Sequence, residues 1–413
     1  MREHLVRAEP IQPGPSRSIV GDCFLVPGPV RMHSSTLEAM ATPAMTARGA
    51  EFRAVMTDLN HGLRHAFNLS PGSDVPGHGS WTGDDGYRVI VVSGSGTAAM
   101  EMAIANRFTS EDRILVPTNG KFGERVAHMV ERYAICEHLD FGWGVPFDHE
   151  VLWKQVATGT YDGLIICHNE TSTGITQDAE AIAVMCKEHD VPFLVDGITS
   201  VGGLPVHPEA WSVEAVVMGA QKCTAGPSGI AALAVSPTYL DRMVTRKEGG
   251  APGYYLDLPA ALKRGGDDQT PWTPAINLAL GWATSLNRLI DEGLEHRWDR
   301  CERLASGVRQ LFLDLGFTLL APDGHRSSTV TAILYPDGLD DRWRTRLKEV
   351  YATQVIGGQD ALKGRMFRVG SMGETTIEEM REGCARMLAC FRDYGLDLPD
   401  VDLTMYFDTL SHA

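Results

Sequence analysis

A lysine stands just past an apolar run that reads as a buried strand: Ala215 to Met218, then Gly219-Ala220-Gln221-Lys222, then the loop Cys223-Thr224-Ala225-Gly226-Pro227-Ser228-Gly229. An ammonium is costly to take out of water, so an interior lysine is either paired or pushed toward its neutral form. A neutral amine at a strand end is a nucleophile that can form a Schiff base with an aldehyde. A solvent-facing lysine at a strand end is the plainer alternative, and this stretch alone does not separate the two.

Other strand ends carry chemistry too. The run Arg88–Val92 ends in Ser93-Gly94-Ser95-Gly96-Thr97 and opens a helix of Ala, Met and Glu. Backbone amides and a helix N-terminus can cradle a phosphate there, or the glycines simply make a tight turn. The loop lacks the Gly-Lys-Ser/Thr of a P-loop and the third glycine of a dinucleotide fingerprint. The run Pro192–Val195 ends at Asp196, which can keep a pyridine nitrogen protonated through a charge-assisted hydrogen bond or serve as a turn residue. Leu164–Cys167 ends in the polar series His168-Asn169-Glu170-Thr171-Ser172-Thr173-Gly174, and Asn119-Gly120-Lys121-Phe122-Gly123 sets a ring between glycines. Phe122 can stack on a flat cofactor or fill core. Together with Lys222 these ends supply a phosphate cradle, a ring sandwich, a carboxylate for a ring nitrogen and an amine for an aldehyde. Pyridoxal 5'-phosphate requires that set.

The elements that position these groups are short apolar runs alternating with helices between Tyr87 and Val235. Continuous apolar strands separated by helices such as Ala98–Arg107, Gly123–Tyr133 and Ala179–His189 predict an α/β fold, a mostly parallel sheet covered on both faces. Ligands collect at the carboxyl ends of such strands. Residues 1–22, polar and carrying Pro10, Pro13 and Pro15, are expected to form an N-terminal extension. Residues 23–289 are expected to form a large cofactor-binding domain, and 290–413 a smaller α+β domain with strands at Thr329–Leu334 and Met366–Val369. Within the larger domain, 236–274 are expected to be irregular, and Ser70–Gly86 a long loop dense in Gly, Asp and Ser.

The bulk numbers narrow the partners. The chain has 413 residues, 43% hydrophobic and 22% charged, with a formal net charge of −16. That balance argues against nucleic acid as the main partner. No apolar run is long enough to span a bilayer. The eight cysteines form no CxxC pair, which suggests small buried hydrophobes in a reducing compartment and no zinc or other metal site. A soluble cytoplasmic protein is expected.

In order along the chain, Pro27-Gly28-Pro29, Ser93-Gly94-Ser95-Gly96, Asn119-Gly120-x-Phe122-Gly123, Glu170-Thr171-Ser172-Thr173-Gly174, Val195-Asp196, Ser200-Val201-Gly202-Gly203, Gln221-Lys222 and Phe367-Arg368-Val369-Gly370 make the sequence resemble the class V pyridoxal-phosphate aminotransferases, in particular the alanine–glyoxylate and serine–pyruvate branch. The resemblance spans about residues 24–395. It implies a fold type I homodimer whose active sites are completed across the interface. It further implies that Ser95, Gly96 and Thr97 bind the phosphate with help from Gln221, and that Thr273 reaches the partner's phosphate. Phe122 and Ile198 would face the two sides of the ring, Thr171 would lie near its hydroxyl, and Asp196 and Lys222 keep the roles given above. Arg368 and Gly28 would bind substrate, Arg368 gripping its carboxylate. Thr270 stands where some relatives place a tyrosine.

The implied activity is transfer of an amino group from alanine, serine or aspartate to glyoxylate or pyruvate by a ping-pong route. A 2-aminoethylphosphonate–pyruvate aminotransferase is the nearest alternative, and its donor would want a further cation. A cysteine desulfurase is disfavoured because Val355 to Arg368 contains no cysteine, and Cys223 should point away from the site. A non-catalytic cofactor-binding regulator is disfavoured by the acidic charge and the lack of a DNA-binding module.

Overall fold

The computed structural model of the chain describes residues 22–43, 45–70, 86–245 and 253–407. The expected N-terminal extension, apart from Asp22, lies outside these residues, as do the interior of the Ser70–Gly86 loop and the pair Gly249-Gly250.

The centre is a seven-stranded sheet in the order Arg88–Ser93, Ile230–Val235, Ala215–Gly219, Phe193–Asp196, Gly163–Cys167, Arg113–Thr118 and Ile135–Asp140. Ile230–Val235 runs antiparallel to both its neighbours, while the other neighbouring pairs are parallel. The four strands Gly163–Cys167, Phe193–Asp196, Ala215–Gly219 and Ile230–Val235 are buried at every residue, as a sheet covered on both faces requires. Six strands therefore deliver their carboxyl ends, Ser93, Gly219, Asp196, Cys167, Thr118 and Asp140, to one edge.

The edge strand Ile135–Asp140 carries no continuous apolar run and is exposed or half-buried along its length. Its charges keep an open edge from pairing with another chain. Cys136 lies in it and is half-buried, unlike the core cysteine expected there. Residues 236–274, expected to be irregular, contain the helices Pro237–Thr245 and Leu258–Gly265. Asp257 caps the second by accepting from the Ala260 amide at 2.9 Å, so Asp-Leu-Pro is a helix start signal. Ahead of the sheet lie the helices Ser34–Met40 and Ala50–Ala66, with Thr46 between them.

Two apolar cores form. One runs from Phe52 to Leu294 around the sheet, and the other gathers residues from Leu304 to Phe407 together with Leu25. The second is built on Val330–Leu334, Met366–Gly370 and Ile356–Gly357, with Trp343 packed against Phe391 and Phe367 at centroid distances of 4.6 and 4.9 Å. The strand Cys23–Phe24 pairs in parallel with Thr353–Gln354. The segment Cys23–Leu25, grouped with the large domain on sequence grounds, thus packs on the C-terminal core. It then carries Pro27 and Gly28 across to the sheet edge. Among the described residues no helix is long and apolar enough to cross a membrane.

Candidate active site

The strand ends line a cleft that includes Ser95, Gly96, Thr97, Phe122, Asp196, Ile198, Gln221 and Lys222. All the expected cofactor residues except Thr171 and Thr273 meet there.

Lys222 is held by its own loop and by the chain start. The Gln221 carbonyl accepts from the Val30 amide at 3.0 Å, and the Lys222 carbonyl accepts from the Ala225 amide at 2.9 Å. Its Nζ donates to the Pro27 carbonyl at 3.2 Å. Burial pushes its pKa down to about 8, with the Arg368 charge acting the same way and Asp196 resisting. Gly28 leaves room for this amine: its φ is +87°, and a Cβ there would stand 2.6 Å from Nζ. Gly28→Ala should therefore displace the amine and slow cofactor attachment by about tenfold or more, since ångström-scale misplacement of a reacting group is costly. Mixing cofactor-free protein with pyridoxal phosphate and following absorbance checks this; an unchanged rate would contradict it.

Asp196 accepts from the Ile198 amide through Oδ1 at 2.9 Å, and among the described residues no donor occupies Oδ2. Burial raises its carboxyl to about 6; the nearby Glu170 adds to the rise, while Arg125 and Lys222 oppose it. Opposite, the helix Gly96–Ala105 begins at Ser95 with no side-chain cap bond, so its first amides and the Ser95 hydroxyl are left for an anion. A Cβ on Gly96 would lie 2.6 Å from Ile198 Cδ1, so only glycine lets Ile198 close over the cradle. Among the described residues Gln221 Oε1 is buried without a hydrogen-bond partner; toward a phosphate this side chain would turn its amide N–H groups, since only they can donate. These features fit pyridoxal phosphate: an open helix N-terminus for its phosphate, Phe122 and Ile198 for its ring, Asp196 for its nitrogen and Lys222 for its aldehyde.

Phe122 owes its position to Glu170. This fully buried carboxylate accepts from the amides of Phe122 and Gly123 at 2.8 and 2.9 Å, and from the Ser172 amide and hydroxyl at 3.0 and 2.6 Å. It closes the N-terminus of the Lys121–Val130 helix, where backbone donors favour an anion. Burial raises its pKa and those four bonds pull it back. Part of the polar series 168–174 thus acts as a strut.

Thr171 is buried beside the cleft and not in its lining: its carbonyl accepts from Arg368 Nη1 at 2.9 Å, while Asn169 lines the cleft. Asn169 is fixed by bonds to Thr199 Oγ1 at 3.0 Å and Thr329 Oγ1 at 2.9 Å. Arg368 donates from Nε and Nη2 to the Gly357 carbonyl at 3.1 and 2.8 Å. Burial lowers its pKa to about 10, so it stays charged at neutral pH. Its charge is held by carbonyls, and among the described residues no carboxylate pairs with it. Thr273 lies in a separate recess with Ser93, Tyr255 and Trp272, outside its own chain's cleft. Cys223 is buried outside the cleft lining and donates its thiol to the Thr199 carbonyl at 3.2 Å; the strand ends at Gly219, so a turn and not strand alternation sets its direction.

The family profile described as Aminotransferase class-V matches residues 80–370. The chain belongs to the class-V aminotransferases. An uncharacterized aminotransferase of Methanocaldococcus jannaschii is 33% identical over 91% of this chain and 94% of its own length. A serine–glyoxylate aminotransferase of Hyphomicrobium methylovorum is 31% identical over 91% of both chains. The crystal structure of an alanine–glyoxylate aminotransferase from Nostoc sp. superposes with a TM-score of 0.83 at 28% identity, covering 94% of this chain and 98% of that one.

The cleft of this class-V aminotransferase also holds residues the motifs do not mark. Arg125 lines it, with its guanidinium 4.9 Å from the Phe122 ring centroid. Its one sequence signal is a place three residues after Phe122 on a helix, which puts both on one face. Asn169, Thr199 and Cys167 join it.

The amine's pKa of about 8 gives a pH dependence. Only the neutral form attacks an aldehyde, and it grows as pH rises through that value. Cofactor capture by the apoprotein should therefore quicken from pH 6.5 to 9 with a midpoint of about 8. Stopped-flow absorbance across that range checks it, and a flat profile would count against a buried amine.

Proposed function

We propose that this aminotransferase uses pyridoxal 5'-phosphate to move an amino group from a small L-amino acid (alanine, serine or aspartate) to glyoxylate or pyruvate in two half-reactions. The observation that carries this reading is the Lys222 amine, pushed toward its neutral form, in one cleft with Asp196 and near an arginine that no carboxylate pairs with among the described residues. The relatives named as serine–glyoxylate and alanine–glyoxylate aminotransferases support the substrate class.

When bound, the cofactor supplies an aldehyde carbon that exchanges amines and a ring that accepts the electron pair released at the substrate α-carbon. Lys222 would hold the cofactor through its amine, and that amine, when free, would serve as the general base for the substrate α-proton. Asp196 holds a proton on the ring nitrogen. Ser95, Gly96, Thr97 and Gln221 hold the phosphate end, while Phe122 and Ile198 keep the ring between them. Arg368 would supply the positive charge that holds the substrate carboxylate, and Gly28 would leave the substrate side of Lys222 open.

The position of Thr273 in a recess outside its own cleft supports the reading of a homodimer, in which it would reach the phosphate of a partner subunit. Beside it Tyr254, 79% exposed, stacks on Trp272 at 4.3 Å; so large an exposed aromatic surface suits a partner. A cytoplasmic setting is supported by the free cysteines.

A second reading has one observation in its favour. Arg125 provides the further cation that a 2-aminoethylphosphonate donor would need. Single-turnover spectra with alanine, serine, aspartate and aminoethylphosphonate decide between them. Conversion of the cofactor by a small amino acid but not by the phosphonate supports the first reading; conversion by the phosphonate alone overturns it.

A further inference from the structure

Arg368 has a neighbour that the amino-transfer motifs leave out. The loop after Ile356–Gly357 folds back over the guanidinium, and Gln359 Oε1 lies 3.4 Å from Arg368 Nη1. Gln359 is half-buried; its backbone carbonyl accepts from the Leu362 amide at 2.8 Å, but among the described residues its side chain makes no other hydrogen bond, so its amide N–H groups are left for a ligand at the same guanidinium. The next residue, Asp360, holds a φ of +41°, a left-handed conformation that a non-glycine residue adopts at a cost. Its carboxylate meets Lys121 Nζ at 2.6 Å, immediately before Phe122 and on the other core. That pair is 55% and 34% exposed, so it adds little to stability. A strained residue fastened by a weak pair is poorly explained as a stabilising device and well explained as one that sets the position of Gln359. A second tie lies alongside: Trp143 Nε1 donates to Glu124 Oε1 at 2.6 Å while its ring packs on the group containing Leu362.

We propose that Gln359 is a specificity-determining residue that shares the substrate carboxylate with Arg368, and that the Lys121–Asp360 pair positions it. Arg368 supplies the charge and the carboxamide a neutral donor, so one carboxylate is held on two sides. The assignment rests on the amino-transfer reading for its substrate, but the carboxylate site itself can be tested without turnover.

The test uses the holoenzyme and two measurements. Calorimetry with propionate, which carries a carboxylate and cannot react, should show Kd raised about tenfold by Gln359→Ala, the scale of one lost hydrogen bond to a charged group. Gln359→Glu should abolish binding, because its own carboxylate would occupy the guanidinium. Kinetics should show KM for alanine and glyoxylate rising by the same factor with little change in kcat. Lys121→Asp should weaken propionate binding, and adding Asp360→Lys should restore it. An unaltered propionate Kd in both Gln359 variants, with unfolding midpoints like the parent, would overturn the proposal. So would an equal fall in kcat and kcat/KM with no change in Kd, the mark of a structural role. Should no amino acid convert the cofactor while propionate binding still depends on Gln359, the amino-transfer reading fails and the carboxylate site stands.

Discussion

Lys222→Ala should leave a protein that folds and still takes pyridoxal phosphate into its cleft but transfers amino groups at least about a thousandfold more slowly. Two losses combine: the covalent anchor, and the base for the substrate α-proton, whose removal typically costs 10²- to 10⁴-fold on its own. Folding should survive, because the amine makes one hydrogen bond, to the Pro27 carbonyl at 3.2 Å, and removing a buried ammonium also removes its desolvation cost. Single-turnover rates with alanine, alongside thermal unfolding, check both halves. Retained turnover would mean that another residue does this work, and Lys121, tied to Asp360 at 2.6 Å, is not placed to do so.

Asp196→Asn should be the next most damaging change, slowing α-proton removal by about a hundredfold or more, the scale of losing one preorganised electrostatic contact to developing charge. An amide cannot hold a proton on the ring nitrogen as a carboxylate does. The same variant has a signature without cofactor. The folded carboxyl is raised from its ordinary 3.8 to about 6, so between those values the folded state binds more protons than the unfolded one. Stability contributed by Asp196 is therefore present below the lower value and lost as pH rises through the upper one. Cofactor-free Asp196→Asn protein should lose less stability than the parent between pH 4 and 7. Parallel unfolding midpoints for the two proteins across that range would mean that the carboxylate is not buried as described.

The strand ends were legible because their strands are buried on both faces and so read as continuous apolar runs. Asp196, Lys222 and the Ser95-Gly96-Thr97 turn each follow such a run, and all three line one cleft. Ile135–Asp140 was not legible, since an edge strand with Glu137, His138 and Asp140 shows no such run. The polar series 168–174 shows a deeper limit. Composition marks it as rich in hydrogen-bonding groups, but only the fold reveals that Glu170 turns toward the helix start at Phe122 while Thr171 turns its carbonyl to Arg368. Arg125 and Gln359 were hidden for a related reason: each acts through a neighbour, Phe122 or Arg368, that only the fold makes visible.

The central claim is that one amine, that of Lys222, carries pyridoxal phosphate covalently. Treating the holoenzyme with borohydride fixes that linkage, and peptide mapping by mass then locates it. The peptide containing Gln221-Lys222-Cys223 should carry the cofactor's mass in near-stoichiometric amount. A modified peptide elsewhere in the chain, or none at all, would contradict the account.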